Sequence, residues 1–100
     1  MNRYTAPVRD MKFALYDVIG ADKLYAKLGI EHAQRDLLDA VMDEAAKFTQ
    51  TVLAPLNGVG DEVGCTYDKA TGAVTTPPGF KEAYAQFVEG GWAGITAPEA

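Results

Sequence analysis

Few residues of this 100-residue chain have side chains that could act as a nucleophile or a metal ligand. The sequence contains no serine, a single histidine, His32, and a single cysteine, Cys65. A Ser-His-Asp triad therefore cannot be built, and His32 with Cys65 is the only Cys-His pair available. No further histidine or cysteine supplies the ligand spacing of a zinc site. We expect His32 to be a capping or surface residue and Cys65 to be a small, half-buried apolar residue.

The segment around residue 60 combines glycines with carboxylates. Gly58, Gly60 and Gly64 superficially resemble a dinucleotide-binding loop, but that motif needs a strand before it and a helix after it. Here a helix precedes the glycines, so we interpret them as a flexible loop. Asp61 and Glu62 lack the alternating oxygen ligands of a calcium loop. A carboxylate pair of the glycosidase kind stays open on spacing alone, beside the simpler interpretation of solvated loop charge.

The composition predicts a small folded domain with no role on nucleic acid or across a membrane. The hydrophobic content is 48%, and the formal net charge of −5 disfavours binding to phosphate backbones. No run approaches the roughly 20 apolar residues that span a bilayer. The sequence also shows no signal peptide, and one cysteine cannot form an internal disulfide. We therefore expect one soluble, cytoplasmic domain over residues 1–100, with no catalytic, cofactor-binding or metal-binding residue.

Apolar residues recur at helical spacing in the first half of the chain. They predict a first helix over about 9–20, a short helix over 23–28 and a long helix over about 32–56. Asp22 is the predicted cap of the short helix, and Gly29 is expected to end it.

Glycine and proline punctuate the second half. Pro55 disfavours helical geometry at the residue before it, so the long helix should loosen there and end by Gly58. Residues 65–75 predict a marginal hairpin, and 79–89 return to helical spacing. An extended stretch is expected over 92–95. The predicted fold is all-α: a long central helix packed with shorter helices, plus a minor hairpin.

Most aromatic side chains lie on the predicted helical stripes, where packing in the core is the expected role. Trp92 follows two glycines, so it is expected either to pack in the core or to anchor a contact with another domain. The aromatic set is Tyr4, Phe13, Tyr16, Tyr25, Phe48, Phe80, Tyr84, Phe87 and Trp92.

The order of these pieces resembles the N-terminal helical domain of flavin-dependent acyl-CoA dehydrogenases. The opening residues resemble a bacterial branch that includes 3-methylmercaptopropionyl-CoA dehydrogenase-like proteins. Each piece is weakly specific by itself, whereas the set in this order is fairly specific and covers essentially the whole chain. The matching pieces are residues 4–13, 54–57, 60–61, 64–65, 78–84 and 90–92.

The resemblance implies a protein about six times this length, with an N-terminal helical, a β-rich middle and a C-terminal helical domain. It also implies FAD between the latter two domains. A catalytic glutamate in the C-terminal part would remove the α-proton while hydride leaves to the flavin. The family pattern continues into a Gly-Gly-x-Gly turn, and this sequence stops at Ala100 just before it. No catalytic or flavin-binding residue can therefore be carried over.

Two hypotheses follow from the sequence. In the first, the chain is a fragment of an acyl-CoA dehydrogenase, inactive and free of FAD by itself. It would supply one wall of the acyl pocket and a packing surface for the missing middle and C-terminal domains. In the second, it is a helical interaction module that associates with itself, since it has more apolar surface than a short chain can cover. Both hypotheses predict a homo-oligomer, formed for example by exchange of helices.

Overall fold

A computed structural model describes residues 4–98, which divide into two compact units. The first unit comprises the described residues 4–51, and the second unit comprises residues 52–98. Helices dominate both units, and the strands among the described residues are two short ones. The predicted all-α class with a minor hairpin is therefore confirmed.

The first helix changes its hydrogen-bonding pattern partway along. Helix α1 covers Val8–Lys12 and continues as a wider π-helical turn over Phe13–Val18. The amide of Ile19 closes that turn on the carbonyl oxygen of Ala14 at 3.0 Å. Gly20 ends the helix with a φ of 67°, a left-handed conformation that costs glycine no Cβ clash. The predicted position of this helix is confirmed, and its π turn is an additional finding.

The next two helices begin at residues other than the predicted ones. Helix α2 covers Ala21–Lys27, and Gly29 follows it with a φ of 77°, as predicted. Asp22 does not cap α2 but lies in its first turn, because the left-handed glycine before Ala21 leads the chain directly into the helix. Helix α3 covers Arg35–Phe48, since the residue before Arg35 has an extended backbone with φ −87° and ψ 163°. The predicted start near His32 is therefore wrong.

The long helical pattern does not end by Gly58. A π-helical turn over Thr49–Leu53 leads directly into α4, which covers Ala54–Val63. Pro55 is the second residue of α4, directly after the π-helical turn, so its missing amide hydrogen falls where the helix already changes its hydrogen-bond pattern. Gly64 ends α4 with a φ of 67°. The predicted flexible glycine loop is thus a helix.

The predicted hairpin is confirmed as a two-residue ladder. Strand β1, Thr66–Tyr67, pairs antiparallel with β2, Val74–Thr75. The amide of Asp68 donates to the carbonyl oxygen of Ala73 at 2.9 Å, and the amide of Gly72 donates to that of Asp68 at 2.7 Å. All four strand residues are exposed. A ribbon this short is stabilised mainly by its turn.

The last helix has the predicted position. Helix α5 covers Phe80–Glu89, preceded by Gly79 with a φ of 87°. The extended stretch predicted over 92–95 is wrong, because Trp92–Gly94 form a 3-10 turn. Gly91, with a φ of 79°, precedes that turn and redirects the chain into it.

The core of each unit is small. Among the described residues, the buried hydrophobic ones are Tyr16 and Ala21 in the first unit and Ala83 in the second. The prediction that aromatic side chains pack in the core holds for Tyr16. It is wrong for three others that expose about half or more of their surface, namely Tyr4, Phe13 and Tyr84.

Candidate functional site

The most closely connected polar side chains of the described structure surround Tyr16. Its ring is 7% exposed, and its hydroxyl donates to Oδ1 of Asp39 at 2.6 Å. The same hydroxyl lies 3.2 Å from the carbonyl oxygen of Arg35. The Arg35 guanidinium carbon lies 4.1 Å from the centroid of the ring, at a cation–π distance. Tyr16 belongs to the π turn after α1 and its partners to the first turns of α3, so this cluster joins two helices.

The surroundings of Tyr16 keep its hydroxyl protonated. Burial, the hydrogen bond to Asp39 and the negative charge of Asp39 together raise its pKa from 10.0 to about 12. The Arg35 charge acts in the opposite direction but is the weaker influence. A phenol with so high a pKa is a poor general base near neutral pH. We therefore interpret Tyr16 as a residue that holds the π turn after α1 against α3, rather than as one that transfers a proton.

Two further polar contacts extend this cluster along α3. Nζ of Lys12 lies 3.3 Å from Oδ1 of Asp43, and the amide of Ala6 donates to Oε1 of Gln50 at 2.7 Å. Arg35, Asp39 and Asp43 are spaced four residues apart on one face of α3, and Gln50 continues the line in the π-helical turn that follows. We call this line the polar seam; it consists of Ala6, Lys12 and Tyr16 on one side and Arg35, Asp39, Asp43 and Gln50 on the other.

The two residues with the most reactive side chains lie on the surface. His32 occupies a turn before α3 and is exposed, in agreement with the predicted surface role. Cys65 is also exposed, so the prediction that it is half-buried is wrong. It precedes a hairpin whose strand residues are all exposed, and no packed layer covers it. Within residues 4–98, no three His, Cys, Asp or Glu side chains come together as a metal site would require.

The glycines near residue 60 serve helix packing. A Cβ built on Gly60 would lie 2.7 Å from Cζ of Phe80, and one on Gly79 would lie 2.7 Å from Cδ2 of Leu56. These distances are shorter than a carbon–carbon contact, so a Cβ at either position would require the Phe80 ring or the Leu56 side chain to shift. Gly58 and Gly60 lie inside α4 rather than between a strand and a helix, so a pyrophosphate-binding loop is not formed.

The neighbouring carboxylates of the second unit lie on the surface of a helix. Asp61 and Glu62 are both exposed on α4. Adjacent helical residues point in different directions, so the two groups cannot flank one substrate bond. This arrangement favours the interpretation of Asp61 and Glu62 as surface charge over that of a glycosidase-like pair.

Exposed apolar side chains are the second candidate feature. A monomer normally shows apolar residues singly, whereas larger apolar patches mark surfaces that bind a partner. In the first unit the exposed large residues are Tyr4, Met11, Phe13, Val18, Ile19, Leu24, Leu28 and Leu37. In the second unit they are Leu53, Val63, Tyr67, Val74, Tyr84, Val88 and Ile95. Among residues 4–98, no helix has the length and apolar character needed to cross a bilayer.

The sequence of this chain is similar to those of known proteins of one kind. No family model matches the chain. Three curated proteins do, and all three are acyl-CoA dehydrogenases. The 3-methylmercaptopropionyl-CoA dehydrogenase of Ruegeria pomeroyi is 33% identical over 100 residues, which cover 95% of this chain and 16% of that protein.

The other two relatives give the same picture. A broad-specificity linear acyl-CoA dehydrogenase of Mycobacterium tuberculosis is 27% identical over 100 residues, covering 100% of this chain and 16% of that protein. The butyryl-CoA dehydrogenase of Syntrophomonas wolfei is 34% identical over 90 residues, covering 88% of this chain and 15% of that protein. The chain is thus homologous to a segment of acyl-CoA dehydrogenases, as its resemblance predicted, and spans about one sixth of these relatives.

Proposed function

We propose that this chain is the N-terminal helical part of a longer, FAD-dependent acyl-CoA dehydrogenase. That enzyme would introduce an α,β double bond into an acyl-CoA thioester. The observation that carries the proposal is that all three relatives belong to one class of enzyme. Each is an acyl-CoA dehydrogenase that matches most or all of this chain. The match to only about a sixth of each relative supports a role as one segment of the whole.

Within that enzyme, this segment contributes one wall of the acyl pocket and a surface against which the other domains pack. The exposed apolar side chains of both units support this role. Phe13 is 58% exposed although it lies in a helical turn, and Tyr84 is 68% exposed on α5. Removing such side chains from water would contribute about 25 cal/mol per Å² of apolar surface. The segment therefore gains stability when the rest of the enzyme covers it.

The flavin and the catalytic base belong to parts of the enzyme outside this segment. Gly60 of α4 lies against Phe80, and Gly58 and Gly60 are both inside a helix rather than in a pyrophosphate-binding loop. Tyr16 is held in its protonated form by burial and by Asp39. We therefore expect the isolated chain to bind no FAD and to have no dehydrogenase activity. A cytoplasmic location likewise stays a prediction.

The proposal can be tested in a full-length enzyme by exchanging segments. The matched sixth of the Ruegeria pomeroyi enzyme is replaced by this chain, and a control chimera carries the matched segment of the Syntrophomonas wolfei enzyme. Flavin content, kcat and KM are measured for a series of acyl-CoA chain lengths. We expect both chimeras to retain flavin, because its site lies elsewhere, and to change their chain-length preference, because the pocket wall has changed.

The outcomes separate the parts of the proposal. If the control chimera is active and the chimera with this chain is inactive, the assignment to this enzyme class fails. If both chimeras are active with unchanged chain-length preference, the segment does not line the acyl pocket.

A second candidate function is self-association without enzymatic activity. Tyr84 and Val88 lie one helical turn apart on α5 and are 68% and 51% exposed, which favours a helix-to-helix contact between copies. Static light scattering across a range of concentrations tests this candidate. A mass near twice 10.7 kDa is the expected result, and a monomer at all concentrations would contradict it.

A further inference from the structure

Polar contacts join the N-terminal segment to α3 at several points along its length. Along α3 and the π turn after it, the contacting residues are Arg35, Asp39, Asp43 and Gln50. Their partners run in the reverse order, from Tyr16 through Lys12 to the amide of Ala6. The segment therefore lies antiparallel to α3 and is joined to it by the polar seam along its length.

Few apolar side chains of this segment are fully buried, and Val8 and Leu15 are half-buried. Tyr16 is the one buried residue of α1 and its π turn. Met11 and Phe13, on the same stretch, are 45% and 58% exposed. A segment with few buried apolar contacts opens at a lower free energy than the element on which it lies. Opening does not leave its polar groups unpaired, because water replaces the partners of the Tyr16 hydroxyl and the Asp39 carboxylate.

We propose that residues 4–18 form a releasable strap on α3, closed by the polar seam and able to open while α3 stays helical. By helical spacing, Met42 and Ala46 share the α3 face that carries Asp39 and Asp43, and both are half-buried. Opening of the strap would expose that face. The strap is a conformational device of this chain and does not depend on the enzymatic assignment.

Native-state hydrogen exchange of the whole chain, measured over a series of low denaturant concentrations, tests the strap. The amide of Ala6, which donates to Oε1 of Gln50 across the seam, reports detachment of the strap, and the amide of Met11, which donates to Pro7 within the strap, reports loss of its helix. Amides in the middle of α3 report loss of α3 itself. We expect the strap amides to exchange at least about tenfold faster than the α3 amides. Their exchange should also depend less on denaturant, because less surface is exposed when only the strap opens.

Two variants test whether the polar seam holds the strap closed. Tyr16→Phe removes the hydroxyl that joins the strap to Asp39, and we expect the strap amides to exchange about 5–30 times faster. Tyr84→Phe is the matched control, because it removes an exposed hydroxyl in the second unit and keeps the ring beside Phe87. It should change strap exchange by no more than about twofold.

Two results would contradict the proposal that the strap opens separately from α3. Equal protection and equal denaturant dependence of strap and α3 would overturn the proposal, since both would then open together. So would an effect of Tyr16→Phe no larger than that of Tyr84→Phe. If Tyr16→Phe does not fold, Lys12→Gln serves instead, since it removes only an exposed ion pair. Lys12→Gln should speed exchange of the strap amides by no more than about fivefold. Exchange of the strap amides should still depend less on denaturant than exchange of the α3 amides. A loss of that difference counts against the proposal.

Discussion

The two units hold their helices together by different means. In the first unit, side chains reach between elements and make polar contacts, as Tyr16 does with Asp39. In the second unit, backbones come close because a side chain is missing, as at Gly60 against Phe80 and at Gly79 against Leu56. Neither unit contains a large buried apolar core among its described residues.

The difference shows which substitutions each unit should tolerate. Polar contacts lose strength when a charge or a proton changes, but they accommodate small changes in volume. Close packing at a glycine does not depend on pH, but a single added methyl group forces the neighbouring side chain to shift. The first unit should therefore respond to pH and charge, and the second to side-chain volume.

The largest expected effect is that of Gly79→Ala in the second unit. The new Cβ meets Cδ2 of Leu56 at 2.7 Å, and the φ of 87° is one that alanine adopts only under strain. The two costs together should lower the free energy of unfolding by about 2–4 kcal/mol, measured by urea denaturation. Gly72→Ala is the matched control, since Gly72 has a φ of 75° but nothing within 4 Å. It should cost about 1–2 kcal/mol, and equal losses for both variants would show that the Leu56 contact is unimportant.

The second effect is a dependence of the first unit on alkaline pH. In the unfolded chain Tyr16 should ionise near its ordinary pKa of 10.0, whereas in the folded chain its pKa is raised to about 12. The folded state therefore prefers the protonated phenol. The stability that this provides is fully present below pH 10 and is lost as the pH rises from 10 to about 12.

Urea denaturation of the wild-type chain and Tyr16→Phe across this pH range tests the dependence. The stability difference between the two should shrink as the pH rises. A difference that stays constant up to pH 12 would show that Tyr16 ionises equally in both states.

A third test compares two glycines of the same helix, α4. Gly58→Ala should raise the free energy of unfolding by about 0.5–1 kcal/mol, since alanine favours a helix and nothing lies within 4 Å. Gly60→Ala gains the same propensity but places its Cβ 2.7 Å from Phe80, so a net loss of about 1 kcal/mol is expected. Thermal unfolding followed by circular dichroism measures both. The same sign for both variants would mean that Phe80 moves aside without cost.

The smallest effect belongs to the ion pair of the first unit. Lys12→Gln should lower the free energy of unfolding by less than about 0.5 kcal/mol, because the Asp43 carboxylate is largely exposed to solvent. Salt should reduce the difference further, since it screens exposed charges. A loss above about 1 kcal/mol that salt does not change would indicate that Lys12 acts through packing of its aliphatic stem.

Local patterns predicted the positions of most helices, because helical spacing and glycine stops are properties of neighbouring residues. Gly20 and Gly29 both have the positive φ values that such stops use. The extension of α4 to Val63 was missed, because glycines usually signal a loop, and here Gly60 is retained for its contact with Phe80. That reason lies twenty residues further along the chain and cannot be read locally.

The polar seam could not be predicted for the same reason. The apolar spacing around Tyr16 indicated a core residue, and Tyr16 is indeed buried, but nothing nearby in the sequence specifies Asp39 as its partner. Arg35 and Asp39 do lie four residues apart on the long helix, which is the one signal that could have suggested a polar face. The π turns were also unforeseen, because they depend on how the helix meets its neighbours rather than on residue type.

The proposal that this chain is one segment of a flavin-dependent acyl-CoA dehydrogenase predicts a much longer native protein that contains flavin. The most direct measurement is the mass and the absorbance spectrum of the native protein, captured from its own cells with an antibody against this chain. We expect a polypeptide about six times the length of this chain, since the chain matches 16% of its relative, with bound flavin that acyl-CoA bleaches. A colourless native protein of 10.7 kDa that does not react with acyl-CoA would contradict the account.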